Sequence, residues 1–290
     1  MSRFEKIYKD VPQVQKEWLK NFREMHHYYH LNVGDINWKY IKCGMGKEVV
    51  VMLPGSVRSA EVWAKLISYL EPAYRIISPT YPAIENMEEG VEGIRGILDK
   101  EKARRIILIG SSFGGWLAQV FVRKYPGMVR KLILSNTSAP ESVMPRPLLE
   151  YTRLTLPRYP EKILKLIYKR SYLKILSEVG EDEKQFWKAL ITELLFYYTT
   201  KKEIITMFST IMDFAKNYHF SVDDLKRWRG KVLIIESSDD IHKNEAKDRL
   251  KNLYPRAKVK TLKDAGHTAG YTAPPEYVRA IKNFLSSELF

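Results

Sequence analysis

The sequence contains a single cysteine, Cys43, among its 290 residues. One cysteine cannot form a disulfide within the chain, and it cannot supply the several thiolates of a structural zinc site. No apolar segment is long enough to cross a bilayer, and the charged residues after Met1 leave no apolar signal region. These absences predict a protein of a reducing compartment, and we expect it to be cytoplasmic and without a transmembrane segment.

Acidic residues are too few to balance the basic ones, which leaves a formal net charge of +14. Such a charge can attract nucleic acid. Here, however, lysine and arginine are spread along the chain and mixed with glutamate and aspartate, and no zinc-finger, helix-turn-helix or RNA-binding signature stands out. We therefore expect a solvated basic surface and no specific nucleic-acid partner.

Short aliphatic runs alternate with helical patterns along most of the chain. This alternation predicts an α/β fold with a doubly wound, mostly parallel sheet. The first two runs surround a glycine turn, and we expect them to pair as a hairpin. The predicted strands are 36–40, 49–53, 74–78, 106–109, 131–135, 231–235 and 259–262.

Residues 139–228 interrupt this alternation with helical patterns alone, including one predicted long helix over 181–220. Ninety residues without a strand are too many for a loop. We therefore predict a helical cap at 139–228, inserted into a core of residues 1–138 and 229–290, with an amphipathic helix within residues 1–30. A minority of the cap's aromatic residues is expected to line an apolar pocket.

The strand at 106–109 leads into Gly110-Ser111-Ser112-Phe113-Gly114, and a helical pattern follows. A G-x-S-x-G motif between a buried strand and a helix is typical of a nucleophile elbow. The glycines at Gly110 and Gly114 flank Ser112 at both ±2 positions, which favours Ser112 over Ser111 as the nucleophile. A glycine-containing turn that presents no reactive serine is the alternative.

Two further groups follow predicted strands at the same edge of the sheet. Asp239 is the fourth residue after the strand at 231–235, and His267 follows the last strand. The order serine, aspartate, histidine is that of hydrolases built on a nucleophile elbow. We predict Ser112 as nucleophile, His267 as base and Asp239 as orienting acid. Asp240 is adjacent and remains an alternative acid.

No metal or cofactor is predicted. His26, His27 and His30 are close in sequence, but no acidic or cysteine ligand accompanies them at helical metal-binding spacing. We expect them to be surface or packing residues. The turn at Pro54-Gly55-Ser56 leaves a buried strand, and it could direct backbone N–H groups into a site or be a plain connecting loop.

Four stretches resemble the α/β-hydrolase superfamily: 51–56, 108–115, 232–239 and Gly266-His267. Residues 74–82, 245–247 and 253–257 are similar to maspardin-like members. The resemblance implies an oxyanion hole formed by the backbone N–H groups of Ser56 and Phe113. The chain departs from the superfamily at Pro54-Gly55, where His-Gly is usual, at Glu236, and at the sequence 79–82.

These features predict a serine hydrolase that cleaves a carboxylic ester or thioester through an acyl-enzyme. The apolar cap favours a small-molecule acyl or aromatic ester substrate, and a homodimer is a further expectation. A non-catalytic binding protein on the same fold is the main alternative, as maspardin-like relatives are associated with binding roles. Cleavage of a C–C or peptide bond on this scaffold is the third interpretation.

Overall fold

The computed structural model describes residues 1–143, 146–176 and 179–287. Residues 144–145 and 177–178 of the predicted cap lie outside the described residues, and so do residues 288–290 of the predicted core. Eight strands form one sheet. They are β1 (Tyr28–Val33), β2 (Ile36–Cys43), β3 (Val49–Leu53), β4 (Arg75–Thr80), β5 (Ile106–Ser111), β6 (Val129–Ser135), β7 (Lys231–Ser237) and β8 (Lys258–Leu262).

The strand order is β1-β2-β4-β3-β5-β6-β7-β8. Six strands of this order run parallel to one another: β4, β3, β5, β6, β7 and β8. At the other edge, β1 pairs antiparallel with β2, and β2 pairs antiparallel with β4. Since β5 lies between β3 and β6, its carboxyl end opens in the middle of the sheet, where ligands bind in open parallel sheets. The predicted doubly wound, mostly parallel α/β fold is confirmed.

Helices cover both faces of the sheet because the central strands are apolar on both sides. On β5, Ile107 and Ile109 belong to one core cluster, whereas Ile106 and Leu108 belong to the other. The helices are α1 (Arg3–Ile7), α2 (Gln13–Met25), α3 (Ala64–Leu70), α4 (Met87–Lys100), α5 (Phe113–Lys124), α6 (Arg146–Thr155), α7 (Glu161–Ile175), α8 (Glu181–Tyr197), α9 (Lys201–Asn217), α10 (Asn244–Leu253), α11 (Ala269–Thr272) and α12 (Pro275–Ser286).

The predicted hairpin between 36–40 and 49–53 is wrong. β2 pairs with β1 and β4, while β3 lies between β4 and β5. The actual hairpin joins β1 to β2 through Gly34 and Asp35, and Gly34 adopts a left-handed φ of 57°. The wholly buried β3 needs a neighbour on each side, which the interior of the sheet supplies and an edge hairpin does not.

Between β6 and β7 the described residues contain only helices and short turns, and α6 to α9 occupy this stretch. The long helix predicted over 181–220 is two helices, because α8 ends at Tyr197 and α9 begins at Lys201. In the described part of the chain, none of the helices combines the length and apolarity that a membrane crossing requires.

Candidate active site

The turn between β5 and α5 places Ser112 in a strained backbone conformation with φ 51° and ψ −120°. A Cβ on Gly110 would collide with the carbonyl of Gly114, and a Cβ on Gly114 would collide with the carbonyl of Leu53. The flanking glycines therefore allow the close backbone approach that this turn requires. Strain of this kind is typical of a functional serine rather than of an ordinary turn.

Ser112 immediately precedes α5, which begins at Phe113. The first N–H groups of a helix have no acceptor within it, and they favour negative charge nearby. The Ser112 N–H donates to the carbonyl oxygen of Ser135 at 3.0 Å, and its own carbonyl accepts from Thr137 Oγ1 at 2.8 Å. These bonds attach the elbow to β6 and the loop after it.

His267 lies directly against Ser112. Its Nε2 is 2.9 Å from Ser112 Oγ, and its Nδ1 is 2.8 Å from Oδ1 of Asp240. The imidazole is almost fully buried, and the Asp240 carboxylate is only 1% exposed. Serine, imidazole and carboxylate thus form one continuous hydrogen-bonded chain.

The carboxylate in this chain belongs to Asp240, so the placement predicted for Asp239 is wrong. Asp239 Oδ1 instead accepts a hydrogen bond from the backbone N–H of Gly266 at 2.9 Å. β7 continues to Ser237, two residues beyond the predicted strand end, and the Asp240 N–H bonds to the Ser237 carbonyl at 3.3 Å. Because β7 ends two residues later than predicted, the turn after it places the Asp240 side chain at the imidazole of His267. Asp239 instead holds the loop before His267 through the Gly266 N–H.

His242 is a second histidine at this carboxylate, and sequence reasoning missed it. Its backbone N–H donates to Asp240 Oδ1 at 3.2 Å, and its Nδ1 lies 3.3 Å from the same oxygen. Burial opposes ionisation of Asp240, but the contacts and charges of His242 and His267 together outweigh it and hold the pKa of the carboxyl well below its usual range. No motif in the sequence indicates this role for His242.

The loop after β3 packs against the elbow, with Gly55 next to the Ser112 side chain. A Cβ on Gly55 would meet the Tyr271 hydroxyl, and it would lie 3.4 Å from the Ser112 Cβ. The Tyr271 hydroxyl accepts a 2.7 Å hydrogen bond from the Gly55 N–H. Ser56, which the family resemblance implies as an oxyanion donor, is the residue that follows Gly55 in this loop.

Tyr271 is another residue that sequence reasoning missed. It lies on α11, four residues after His267, and its ring packs edge-on against Trp63 at 5.4 Å. Burial raises the pKa of its phenol, so the hydroxyl stays protonated and remains a hydrogen-bonding group. Through its hydrogen bond with the Gly55 N–H, Tyr271 connects the helix that follows His267 to the loop after β3.

The helices between β6 and β7 reach the same region. The Tyr172 hydroxyl on α7 is hydrogen-bonded to Ser56 Oγ. Tyr168, one turn earlier, packs against the rings of Tyr172 and Phe208. Aromatic side chains from the helices between β6 and β7 therefore lie next to the loop after β3.

Two clusters of described residues place potential metal ligands within 4.8 Å of one another: Asp240 with His242 and His267, and His26 with Cys43 and Glu71. The first is the hydrogen-bonded chain at Ser112. In the second, His26 contacts the Phe22 carbonyl and Glu71, each at 2.7 Å. Burial, followed by the Glu71 charge, raises the pKa of the Cys43 thiol and disfavours the thiolate that a metal would need.

A parallel sheet with a serine elbow at its centre and a histidine after the last strand defines the class of α/β hydrolases. The sequence matches the model of the alpha/beta hydrolase family over residues 50–280, so the chain belongs to this family.

Individual relatives agree with this membership. A 2-hydroxy-6-oxononadienedioate/2-hydroxy-6-oxononatrienedioate hydrolase of Paraburkholderia xenovorans is 32% identical over 130 residues, which are 39% of this chain and 45% of that protein. Maspardin of Danio rerio is 33% identical over 113 residues, 38% of this chain and 34% of maspardin. The predicted relationship to α/β hydrolases, with maspardin among the similar proteins, is confirmed. The chain spans less than half the length of these curated relatives.

The structural comparison supports the same fold. A crystal structure of a hydrolase from Pseudomonas aeruginosa PA01 superposes with a TM-score of 0.74, and the match covers 90% of this chain and 99% of that one. The sequences are only 16% identical, so this likeness shows the fold alone.

Proposed function

We propose that the protein is a serine hydrolase that cleaves a carboxylic ester or thioester through an acyl-enzyme. Ser112 is the nucleophile, His267 the general base and Asp240 the orienting acid. The observation that carries this proposal is the direct contact of 2.9 Å between His267 Nε2 and Ser112 Oγ, continued at 2.8 Å to Asp240. A serine hydroxyl is a weak nucleophile until an oriented imidazole can accept its proton.

In the proposed reaction Ser112 Oγ attacks the carbonyl carbon while His267 Nε2 takes the hydroxyl proton. The tetrahedral intermediate collapses as His267 returns this proton to the leaving alcohol or thiol. Water, deprotonated by His267, then hydrolyses the acyl-enzyme and regenerates Ser112. Asp240 holds the imidazole in the required tautomer and stabilises its cation.

The backbone N–H groups of Ser56 and Phe113 are the proposed donors to the oxyanion. Phe113 begins α5, where the helix dipole favours negative charge. Gly55 lies against the Ser112 side chain and donates its N–H to Tyr271, and this contact next to Ser56 supports the proposal for the Ser56 N–H. Donors fixed before the reaction stabilise the developing charge without reorganisation.

A fluorophosphonate probe tests this proposal, because it reacts with an activated serine. We expect the wild-type protein to be labelled at Ser112, as located by peptide mass spectrometry. Ser112→Ala should abolish labelling, whereas Ser111→Ala, which changes the neighbouring buried serine, should retain it. Unlabelled wild-type protein at neutral pH would contradict the proposal.

A panel of p-nitrophenyl esters of graded chain length would then measure the acyl pocket. Residues 139–228 are proposed as a cap that forms part of this pocket, because Tyr172 from α7 contacts Ser56 beside the nucleophile. This supports the expected small-molecule acyl or aromatic ester as substrate.

A cytoplasmic location and a homodimer remain predictions, and light scattering coupled to size-exclusion chromatography would test the dimer.

Hydrolysis of a C–C bond is the second candidate, favoured by the similarity to the 2-hydroxy-6-oxononadienedioate/2-hydroxy-6-oxononatrienedioate hydrolase. The same serine and histidine would serve either reaction. Turnover of a 2-hydroxy-6-oxo-dienedioate, without turnover of p-nitrophenyl esters, would favour it. A non-catalytic binding protein has less support, since it does not need Ser112, His267 and Asp240 in hydrogen-bond contact.

A further inference from the structure

The carboxylate of Asp240 faces two imidazole rings, and the proposed reaction uses only one of them. His267 Nδ1 is 2.8 Å from Oδ1 of Asp240, and His242 Nδ1 is 3.3 Å from the same oxygen. The centres of the two rings are 5.3 Å apart. The side chain of His242 therefore lies at the candidate active site without a step of the proposed reaction to perform.

The Nδ1 atom of His242 lacks a satisfactory partner. It is buried, and within the described residues it makes no hydrogen bond, although it lies 3.3 Å from Oδ1 of Asp240. An unprotonated ring nitrogen and an ionised carboxylate oxygen repel each other at this distance, since both present lone pairs. A buried nitrogen without a partner is uncommon, and it indicates a group such as an ion that the chain itself does not supply.

The spacing of the polar atoms suits one metal ion. Potential ligand atoms of Asp240, His242 and His267 all lie within 4.8 Å of one another. Zinc binds nitrogen and oxygen at about 2.0–2.1 Å in tetrahedral geometry, so two of its ligand atoms are about 3.3 Å apart. His242 Nδ1 and Asp240 Oδ1 already have this separation. The 2.8 Å between His267 Nδ1 and the same oxygen needs to widen by only about half an ångström.

The donor set favours zinc over the other common divalent ions. Two imidazole nitrogens and one carboxylate suit Zn²⁺, whereas Mg²⁺ and Ca²⁺ prefer oxygen ligands. A ligating carboxyl must be deprotonated, and the pKa of Asp240 is held well below its usual range by the contacts and charges of the two histidines. Asp239 and Ile241 on the same loop are exposed, so an ion can reach the site from solvent.

We propose that Asp240, His242 and His267 bind one Zn²⁺ ion, and that the bound ion inhibits the protein by occupying Nδ1 of His267. The inhibition rests on the proposed hydrolase function, whereas the binding does not. In the proposed reaction, His267 carries its proton on Nδ1 and offers the lone pair of Nε2 to Ser112.

Zinc binding at Nδ1 reverses the roles of the two ring nitrogens of His267. The ion takes the lone pair of Nδ1, and the proton that this atom carried moves to Nε2, so the ring stays neutral. Nε2 then donates a hydrogen bond to Ser112 Oγ and cannot accept its proton. Because Nδ1 already faces Asp240 and Nε2 already faces Ser112, the ring does not need to turn over.

Zinc binding is measured first in Ser112→Ala protein, where no reaction can interfere. Isothermal titration calorimetry with ZnCl₂ at neutral pH should show one ion bound per chain, whereas MgCl₂ should show no binding. Co²⁺ in place of Zn²⁺ should give the visible absorption of a four-coordinate ion with nitrogen and oxygen ligands. Absence of zinc binding, or equal binding of Mg²⁺ and Zn²⁺, would overturn the proposal.

Variants in the same Ser112→Ala background locate the ion. His242→Phe should weaken zinc binding by about a hundredfold or more, since loss of a group that merely supports a ligand already costs about 10- to 100-fold. His242→Gln keeps the test valid if the phenyl ring disturbs the loop. His219→Phe is the matched control, because His219 is exposed after α9 and its loss should leave the zinc affinity unchanged.

The second cluster of potential ligands, which contains Cys43, provides a further control. Cys43→Ala should leave the zinc affinity unchanged. Affinity that falls in Cys43→Ala but persists in His242→Phe and His242→Gln would place the ion in that cluster and overturn the proposal.

Inhibition is measured on the active protein with p-nitrophenyl butyrate, and each variant is compared with its own zinc-free rate. Zn²⁺ should lower kcat with little effect on KM, and a chelator should restore the rate. The zinc concentration for half-inhibition should match the Kd from calorimetry, and it should rise about a hundredfold or more in His242→Phe but not in His219→Phe. Zinc that binds through His242 yet leaves kcat unchanged would contradict the inhibitory role.

The zinc site and the proposed hydrolase function can fail separately. If zinc binding depends on His242 but the zinc-free protein neither hydrolyses the ester nor reacts with a fluorophosphonate, the zinc site stands and the hydrolase proposal falls. If the zinc-free protein hydrolyses the ester and Zn²⁺ does not bind, the zinc site falls and the hydrolase proposal stands.

Discussion

Asp240 is contacted by two histidines through a single carboxylate oxygen. His267 Nδ1 lies 2.8 Å from Oδ1, and His242 approaches the same atom through its backbone N–H and its Nδ1. A carboxylate that accepts several hydrogen bonds is held in one orientation and favours its ionised form. In the proposed reaction, Asp240 would therefore stabilise the His267 cation without a change in its own position.

Substitution of the two neighbouring aspartates should have very different effects on activity. Asp240→Asn should lower kcat/KM by about 10³- to 10⁴-fold, because the amide cannot support the imidazolium or fix its tautomer. Asp239→Asn should cost about tenfold or less, since its side chain bonds only to the Gly266 backbone. Ester hydrolysis at neutral pH measures both, and a larger loss in Asp239→Asn would contradict the assignment of Asp240.

The pH dependence of stability provides a second test of Asp240. Because its pKa is held well below the unfolded value of about 3.9, the unfolded chain binds the proton more readily. Its stabilising contribution is complete above about pH 4 and is lost as the pH falls through the lower, folded pKa. Urea unfolding from about pH 6 to about pH 2 should show a weaker acid-side loss for Asp240→Asn than for the wild type. Parallel curves for the two proteins would exclude this contribution.

Sequence reasoning predicted that Ser112, Asp239 and His267 act together; the structure brings Ser112 and His267 into contact but places Asp240, not Asp239, against the imidazole. The motif around Ser112 is local, and the order of the groups along the chain is informative. The choice between Asp239 and Asp240 depends on where β7 ends, and the apolar run stops at Ile235 while the strand continues through Glu236 to Ser237. Pairing with β8 extends the strand, and a hydrophobicity pattern does not record such pairing.

At the scale of elements, the central strands were the easiest to predict. β3 and β5 are wholly buried, so they are marked by uninterrupted aliphatic runs. β1 was missed because it lies at the sheet edge, where its residues are half-buried or exposed and include Tyr and His. The wrong hairpin followed from this omission, since sequence order alone does not show that β3 enters between β4 and β5.

The break between α8 and α9 depends on a capping box at Thr200. Thr200 Oγ1 accepts the Glu203 N–H at 3.2 Å, and Glu203 Oε2 accepts the Thr200 N–H at 2.7 Å. Thr200→Ala should lower the free energy of unfolding by about 0.5–2 kcal/mol, and Thr200→Ser should largely preserve it. Urea denaturation measures both. Thr192→Ala in the middle of α8 is the control, and an equal loss there would show that the effect is not one of capping.

At the scale of the molecule, the candidate site depends on contacts between distant parts of the chain. Ser112 and His267 are 155 residues apart, and His267 and Asp240 are 27 apart. The parallel sheet brings them together, because the carboxyl ends of β5, β7 and β8 meet at one edge. The fold class predicts this meeting, but no sequence motif indicates Tyr271 and His242, which contact Gly55 and Asp240 at the site.

The C-terminal helix that follows His267 is attached to the sheet by a buried lysine. Lys131 on β6 donates to the carbonyl oxygens of Phe284, Leu285 and Ser287, at 3.1, 2.5 and 2.7 Å. These carbonyls belong to the last turn of α12 and the residue after it, where a cation is favoured. Burial, followed by the neighbouring Arg130 and Lys231 charges, lowers the pKa of Lys131 to about 8, and its three hydrogen bonds oppose that loss of charge.

Lys131→Met should therefore destabilise the whole fold by about 1–3 kcal/mol, because it leaves these carbonyl oxygens without their shared donor. The free energy of unfolding in urea measures this loss. Lys282→Met, on the exposed face of α12, is the control and should change it by about 0.5 kcal/mol or less. An equally small loss of unfolding free energy in the two variants would contradict this role of Lys131. It would mean that water satisfies the carbonyl oxygens at the end of α12 in place of the lysine.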